Sequence, residues 1–377
     1  MAATVSWDAL RDLAGFRAAK GVAVSFYLDL DPAVTPTAGD VATRVNSLLA
    51  EAGRHLDRGD LNHDQRKSLK ADIERIRNFS DQELVRDGAH GLAIFADDCD
   101  NFWRALTLTE SVADTMKVNA ELYLTPLVPL VGRGEGALVA VVGRERGELF
   151  RLRGGRLEPI AKLTEEQPRR HDQGGWSQAN YQRHIDHLAQ EHLQRVADEL
   201  ERRVRGRAER VVVVTTEDTR SAFGDLLPKS VHGAVVGWTT AEAHAGPSEL
   251  LAAAAPVLEA SRAREEERAL ERWREEAGRN GRAAAGWETT LEAASDGRVD
   301  LLLYRNGIRH VAFRCPSCGR LAVEAGTCPL DGTRMEEDDE GLDLAVHQTL
   351  SNGGTVWAVT ERGDLDPVEG IGALLRY

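Results

Sequence analysis

Cysteine offers the first chemistry in this 377-residue chain. Three of its four cysteines crowd into one segment with the pattern C-x2-C-x9-C-x2-D, read as Cys315-Pro-Ser-Cys318-Gly and Cys328-Pro-Leu-Asp331-Gly. In each half, Pro and Gly turn the backbone so that two side chains converge on one ion, which is the arrangement of a zinc ribbon. Zn2+ is therefore the expected ion, held by Cys315, Cys318, Cys328 and Asp331. His310 or His347 could take the place of the carboxylate, and a vestigial ribbon that binds zinc weakly is the alternative. The role is structural, because the ligands sit in a small inserted knuckle. Cys99, flanked by aspartates, reads as an ordinary free thiol.

A second group of residues forms the polar run Arg169 to Gln178, R-R-H-D-Q-G-G-W-S-Q. Gly174 and Gly175 allow backbone conformations and close approaches that other residues forbid, and the Gln178 amide can both donate and accept. Glycine pairs in loops are mostly ordinary turns. Local charge strengthens the functional reading: from Arg144 to Arg210 there are 15 Lys/Arg against 12 Asp/Glu, within a chain of net charge -14. Arg169, Arg170, His171, Arg183 and His184 supply donors, His187 and His192 add more, and Trp176 offers a stacking face, so the loop tip suits insertion into RNA. His184, His187 and Glu191 share a helical face and could instead hold a metal, but a solvated polar face is the commoner case.

The elements that must position these residues follow from periodicity. A β-rich run, Gly21 to Pro32, precedes helical stretches at Asp40 to Leu56 and Asp64 to Phe79, and then a strand pair at Gly91 to Phe95 and Trp103 to Thr107. Beyond the proline-marked YLTPLVPL, Ala137 to Leu163 reads as meandering antiparallel strands. The polar loop comes next, followed by a long helix, about Ala179 to Val204, with strands at Arg210 to Thr215 and Val231 to Trp238. A charged helix, Glu259 to Ala277, leads to a helix at Ala283 to Ala294 and a strand at Val299 to Tyr304. After the cysteine segment come a helix near Leu342 to Ser351, the strand TVWAVT and a terminal GIGALLRY. The class is α/β, in three parts: 1–125, 126–257 and 258–377, the last with a Cys-rich insertion at 313–335.

Composition narrows the function. With 42% apolar and 29% charged residues the chain is expected to fold, and its acidity argues against indiscriminate coating of nucleic acid, so any RNA contact must be local. The longest apolar stretch, Leu250 to Leu258, is far short of the ~20 residues of a spanning helix. The start lacks a basic stretch followed by an apolar core, so a cytoplasmic protein is expected.

The Gly174-Gly175 loop before a long helix, the cysteine knuckle in the last segment and the closing GIGALLRY together resemble the archaeal and eukaryotic-type class I release factor superfamily, including Pelota and the Vms-type peptidyl-tRNA hydrolases. The resemblance spans nearly the whole chain. It implies an amino-terminal α/β domain, a middle domain of ribonuclease-H-like fold and an L7Ae-like carboxy-terminal domain. It also implies A-site binding, with the loop at the peptidyl-transferase centre hydrolysing the peptidyl-tRNA ester in ribosome rescue or quality control. Gly174 and Gly175 would shape the loop and Gln178 would orient water. Arg169, Arg170, His171, Arg183 and His184 would hold RNA, with Trp176 stacked on a base. The implied partners are rRNA and peptidyl-tRNA, with room for a translational GTPase, and the protein would act as a monomer. The loop reads Gly-Gly-Trp-Ser-Gln rather than Gly-Gly-Gln, closer to the Vms-type loops, and no Asn-Ile-Lys-Ser codon-reading motif is present. The competing function is a non-catalytic stress or hibernation factor that plugs the same centre.

Overall fold

The computed structural model describes residues 5–57, 61–86, 88–134, 136–164, 177–205, 209–360 and 362–377. They pack as two compact units, Arg133–Glu265 and a second made of Met1–Gly132 with Glu266–Tyr377. Compact packing thus joins the first and last of the three sequence segments and leaves most of the middle one by itself. No described helix is long and apolar enough to cross a membrane.

The chain opens with α1 (Trp7–Ala14), whose Ala9 N–H donates to the Ser6 hydroxyl at 3.1 Å as an N-cap. Strand β1 (Ala23–Asp29) leads to α2 (Ala38–Asp57) and α3 (His63–Asn78). The start of α3 is fixed by reciprocal bonds between Asn62 and Gln65, at 2.9 and 3.0 Å, a capping box. Strands β2 (Gly91–Asp97), β3 (Phe102–Leu108) and β4 (Thr115–Asn119) complete an antiparallel sheet of order β3-β2-β1-β4. The side-chain period of two divides β1 between two cores. Val24, Phe26 and Leu28 meet Val45, Leu49, Leu69 and Ile76 of α2 and α3, while Ala23 and Tyr27 face the opposite core. The run YLTPLVPL, marked in the sequence only by its prolines, carries a 3-10 turn at Thr125–Leu130.

In the Arg133–Glu265 unit, β5 (Ala137–Val142), β6 (Arg146–Arg153) and β7 (Arg156–Thr164) form the expected antiparallel meander. The helix α4 (Ser177–Val204) is followed by β8 (Arg210–Thr215), α5 (Glu217–Leu226), α6 (Lys229–Ala234) and β9 (Val235–Thr239). Strand β8 lies parallel to β5 and β9 parallel to β8, giving the order β7-β6-β5-β8-β9. One face, with Leu138, Ala140 and Val213, packs on Leu193, Val196, Ala197 and Leu200 of α4. The other, with Ala137, Val139 and Val212, packs on Leu250 and Ala254.

Those last two residues belong to α7 (Pro247–Gly278), which begins twelve residues before the charged stretch that announced it, since the apolar LLAAAAPVL is helical as well. The expected helix at Ala283 to Ala294 is corrected. Ala283–Ala285 is strand β10, paired with the chain's last strand, and only Trp287–Ser295 is helix α8. Gly286, at φ 82°, makes the break that its neighbours' helical propensity hides. Next come β11 (Val299–Arg305), the small sheet of β12 (Ala312–Arg314), β13 (Leu321–Ala322) and β14 (Glu336–Asp338), then α9 (Gly341–Ser351), β15 (Thr355–Val359) and β16 (Ile371–Leu375). The larger sheet runs β10-β16-β11-β15, with β16 antiparallel to both neighbours. Leu302, Tyr304, Val346 and Ile371 share one core with Tyr27, Phe95, Leu122 and Leu124.

Candidate functional site

Sequence places the polar loop between β7, which ends at Thr164, and α4, which starts at Ser177. Arg169, Arg170, His171, Gly174, Gly175 and Trp176 lie outside the described residues. Gln178 falls in the first turn of α4, its side chain also outside them. Arg183 and His184 follow on α4, both exposed.

What is described is the scaffold that presents the loop. The α4 stripe Leu193, Val196, Ala197, Leu200 and Val204 is buried on the sheet, and an exposed ion pair between Arg144 and Asp186 links the β5–β6 turn to the same helix. Gly147 explains how closely helix and sheet approach: a Cβ there would stand 2.5 Å from Val196 Cγ2 and 2.9 Å from the Leu163 carbonyl. Arg146 braces the turn from outside, donating to Glu148 and to the Ala243 and Ala245 carbonyl oxygens. Charge counting included Arg144 and Arg146 but could not assign them this bracing role, because Asp186, Ala243 and Ala245 are distant in sequence.

Among the described residues the metal alternative on α4 finds no converging donors. His187 pairs with Glu191 at 3.3 Å on an exposed face, and His184 joins no converging donor set. Among the described residues the sole group of three or more ligating side chains that converges is Cys315, Cys318, Cys328 and Asp331, whose ligand atoms lie within 4.8 Å of one another.

Each half of that group is a knuckle built by the backbone. Gly319 N–H donates to the Cys315 carbonyl and Gly332 N–H to the Cys328 carbonyl, both at 2.9 Å, and the two glycines have φ of 78° and 71°. Cys318 Sγ is 3.5 Å from Cys328 Sγ, and Cys315 Sγ is 3.6 Å from both Asp331 oxygens. A tetrahedral ion with bonds of ~2.3 Å to sulfur needs ligand separations of roughly 3.8 Å, so the donor set fits zinc. Thr333 N–H donates to Asp331 at 3.0 Å and holds its carboxyl below the usual range, leaving an anionic ligand. Neither substitute histidine is near: His347 is buried against the Leu122 carbonyl and Asp343, and His310 stacks on Trp287 with centroids 4.3 Å apart.

A further buried group escaped sequence reasoning. Asp343 accepts the Leu124 and Thr125 N–H groups at 2.9 Å and the Thr125 hydroxyl at 2.7 Å, with His347 one turn on. Burial pushes its carboxyl pKa up, and His347 opposes that shift. An i, i+4 acid–histidine pair is too common on helices to have marked it.

Comparison with known proteins supplies the context. Residues 123–259, which contain the loop and α4, match the model for bacterial archaeo-eukaryotic release factor family 10. Peptide chain release factor subunit 1 of Methanopyrus kandleri is 30% identical over 218 residues, covering 54% of this chain and 51% of that one, so the match spans about half that relative's length. Its counterpart from Archaeoglobus fulgidus is 25% identical over 286 residues, covering 69% and 70%. Among solved structures, S. cerevisiae Dom34, described as a translation termination-like factor involved in RNA quality control pathways and interacting with Hbs1, aligns at 11% identity over 76% of this chain and 79% of that one, with a TM-score of 0.40.

Proposed function

The chain belongs to the archaeal and eukaryotic-type release-factor-like superfamily, and from that premise we propose that it binds the ribosomal A site and hydrolyses the peptidyl-tRNA ester in rescue or quality control. The observation that carries this reading is the position of the Gly174-Gly175 loop, which leads into a helix anchored along one face of the sheet, inside the segment that matches the family model. In this reading 126–257 is a ribonuclease-H-like domain, consistent with an antiparallel meander followed by two parallel strands. Residues 1–125 are the amino-terminal α/β domain, and 258–377 the L7Ae-like domain with its inserted knuckle, where Zn2+ is held by Cys315, Cys318, Cys328 and Asp331. The protein works in the cytoplasm as a monomer, with the ribosome as partner and a translational GTPase as a candidate for its delivery.

The chemistry asks little of protein side chains. Water adds to the ester carbonyl, the tetrahedral oxyanion collapses, and the terminal ribose oxygen leaves with the proton, releasing the peptide as an acid. Positioned donors and a held water lower that barrier without a strong base in the protein. Gly174 and Gly175 would permit close backbone approach and Gln178 would orient the water. Arg169, Arg170, His171, Arg183 and His184 would hold phosphates, and Trp176 would stack on a base. One observation favours a second reading, in which the protein occupies the centre without catalysis as a stress or hibernation factor. Gln178 belongs to the first turn of α4, not to the segment before it.

The test is peptide release from stalled ribosomal complexes by the parent protein and by Gln178→Ala. Release that falls at least ~10-fold in the variant, with ribosome binding retained, supports catalysis. Release unaffected by the substitution removes Gln178 from the chemistry. Binding by the parent with no release favours the plug, and failure to bind ribosomes in any state overturns both.

A further inference from the structure

The unit made from residues 1–132 and 266–377 contains an open cavity of about 380 Å3 that the ribosomal reading does not use. We infer that it is a binding site for a small zwitterionic amino compound with an apolar side chain, of the α-amino-acid class.

The size falls within the ~300–1,000 Å3 typical of small-molecule sites. The floor is fixed in advance. Tyr123 and Thr125 line the cavity, and the segment carrying them is bonded from beneath by Asp343 through the Leu124 and Thr125 N–H groups and the Thr125 hydroxyl. Moving it would break three hydrogen bonds to a buried carboxylate, so a ligand would meet a preformed surface and little ordering cost.

The charges that face the cavity select the ligand. Arg309 lies on the turn between β11 and β12 and Asp339 on the approach to α9; among the described residues neither has an ion-pair or hydrogen-bond partner. Glu340 also lines the cavity, but Lys117 neutralises it. Tyr123 lines the cavity together with Arg309, and burial, Glu340 and Asp343 push its phenol above the ordinary range against the opposing effect of Arg309, so the hydroxyl stays protonated. A carboxylate would find the Arg309 guanidinium and the Tyr123 O–H, and an ammonium would find Asp339. A ligand carrying only negative charge would face Asp339 uncompensated, and one carrying only positive charge would face Arg309. Val112, Pro126, Leu130 and Ile308 supply an apolar wall for the side chain.

The experiment titrates L-leucine and L-phenylalanine calorimetrically into the full chain, with leucine methyl ester and N-acetylleucine as probes lacking one charge each. Binding of at least one amino acid in the roughly 10 µM to 1 mM range is expected, with each blocked analogue at least ~10-fold weaker. Arg309→Ala should weaken leucine ~10-fold and no longer distinguish it from its methyl ester. Asp339→Asn should do the same for leucine against N-acetylleucine. Both positions are exposed, so neither substitution threatens the fold, and far-UV circular dichroism verifies this. No binding of either amino acid up to about 10 mM, or equal affinity in the double variant, overturns the proposal. The outcome is independent of whether the protein binds ribosomes.

Discussion

Arg314 and Glu121 face each other as a two-point fork, guanidinium to carboxylate, at 2.6 and 2.8 Å, with each side chain only 17% exposed. The pair ties β12, the strand that leads straight into Cys315, to the segment following β4. Burial works against the charge on Glu121, but the Arg314 guanidinium outweighs it and holds the carboxyl below its ordinary range. A carboxyl pKa lowered by folding contributes stability above its unfolded value, near 4.5, that is lost as pH falls through the folded value. Arg314→Ala should cost about 2–3 kcal/mol at pH 7 in urea denaturation, and the cost should shrink on acidification below about pH 4.5. Arg314→Lys keeps the charge without the fork and should recover only part of the loss.

Asp72 behaves in the opposite sense. It is buried with Asp97, bonded by the Ser68 hydroxyl and the Asp98 N–H, and burial pushes its pKa up to about 7. Because the folded value lies above the unfolded one, the neutral acid is the form that suits the fold. The contribution of Asp72 to stability is full below about pH 4 and is lost as pH rises through 7. Asp72→Asn removes that decline. In denaturant titrations at successive pH values, the variant's stability relative to the parent should rise by about 2 kcal/mol between pH 4 and pH 8, inside the ceiling of ~4 kcal/mol set by three pH units. A flat difference would show that Asp72 is ionised at little cost.

The cysteine knuckle makes a quantitative prediction about metal. Protein purified without chelator should carry one zinc per chain by mass spectrometry of the metal, and Cys315→Ser or Cys328→Ser should abolish it. Since thiolate is the better zinc donor, Asp331→Cys should tighten zinc by at least ~10-fold in competition with a chelator dye. Chelation should lower Tm and leave the Arg133–Glu265 unit folded.

Gly147 sets the seat of α4. Its missing Cβ admits Val196, so Gly147→Ala must displace the helix or the Leu163 carbonyl. A loss of about 1–3 kcal/mol is expected in thermal or urea unfolding. Val196→Ala in the same background should recover part of it, a coupling measurable by a double-mutant cycle.

Much of this architecture was legible in the sequence, and what escaped has identifiable causes. The long helix α4 and the β5–β7 meander carry local signals, and the structure follows them. Ala283–Ala285 became a strand because its pairing partner lies at the far end of the chain, which no local propensity reports. The knuckle was readable because its donors are spaced by backbone turns, so their convergence is encoded within a few residues. Asp343, Arg309 and Asp339 were not, since their importance depends on which distant segments fold against them. The one core shared by Tyr27 and Ile371 was hidden for the same reason: period-two alternation shows that both faces of β1 are apolar but not what covers each.

That shared core bears on how the chain acquires its fold during synthesis. Residues 133–265 are contiguous and can fold as soon as they leave the ribosome. The Tyr27 face of the sheet β3-β2-β1-β4 shares its core with α1 and residues 122–131 of the same stretch, but the rest of that core comes from α8, β11, α9 and β16, and β16 takes an interior place in its sheet. A nascent chain cut before Ile371 therefore leaves β10 and β11 without the strand that joins them and this core incompletely covered, an apolar surface open to chaperone capture.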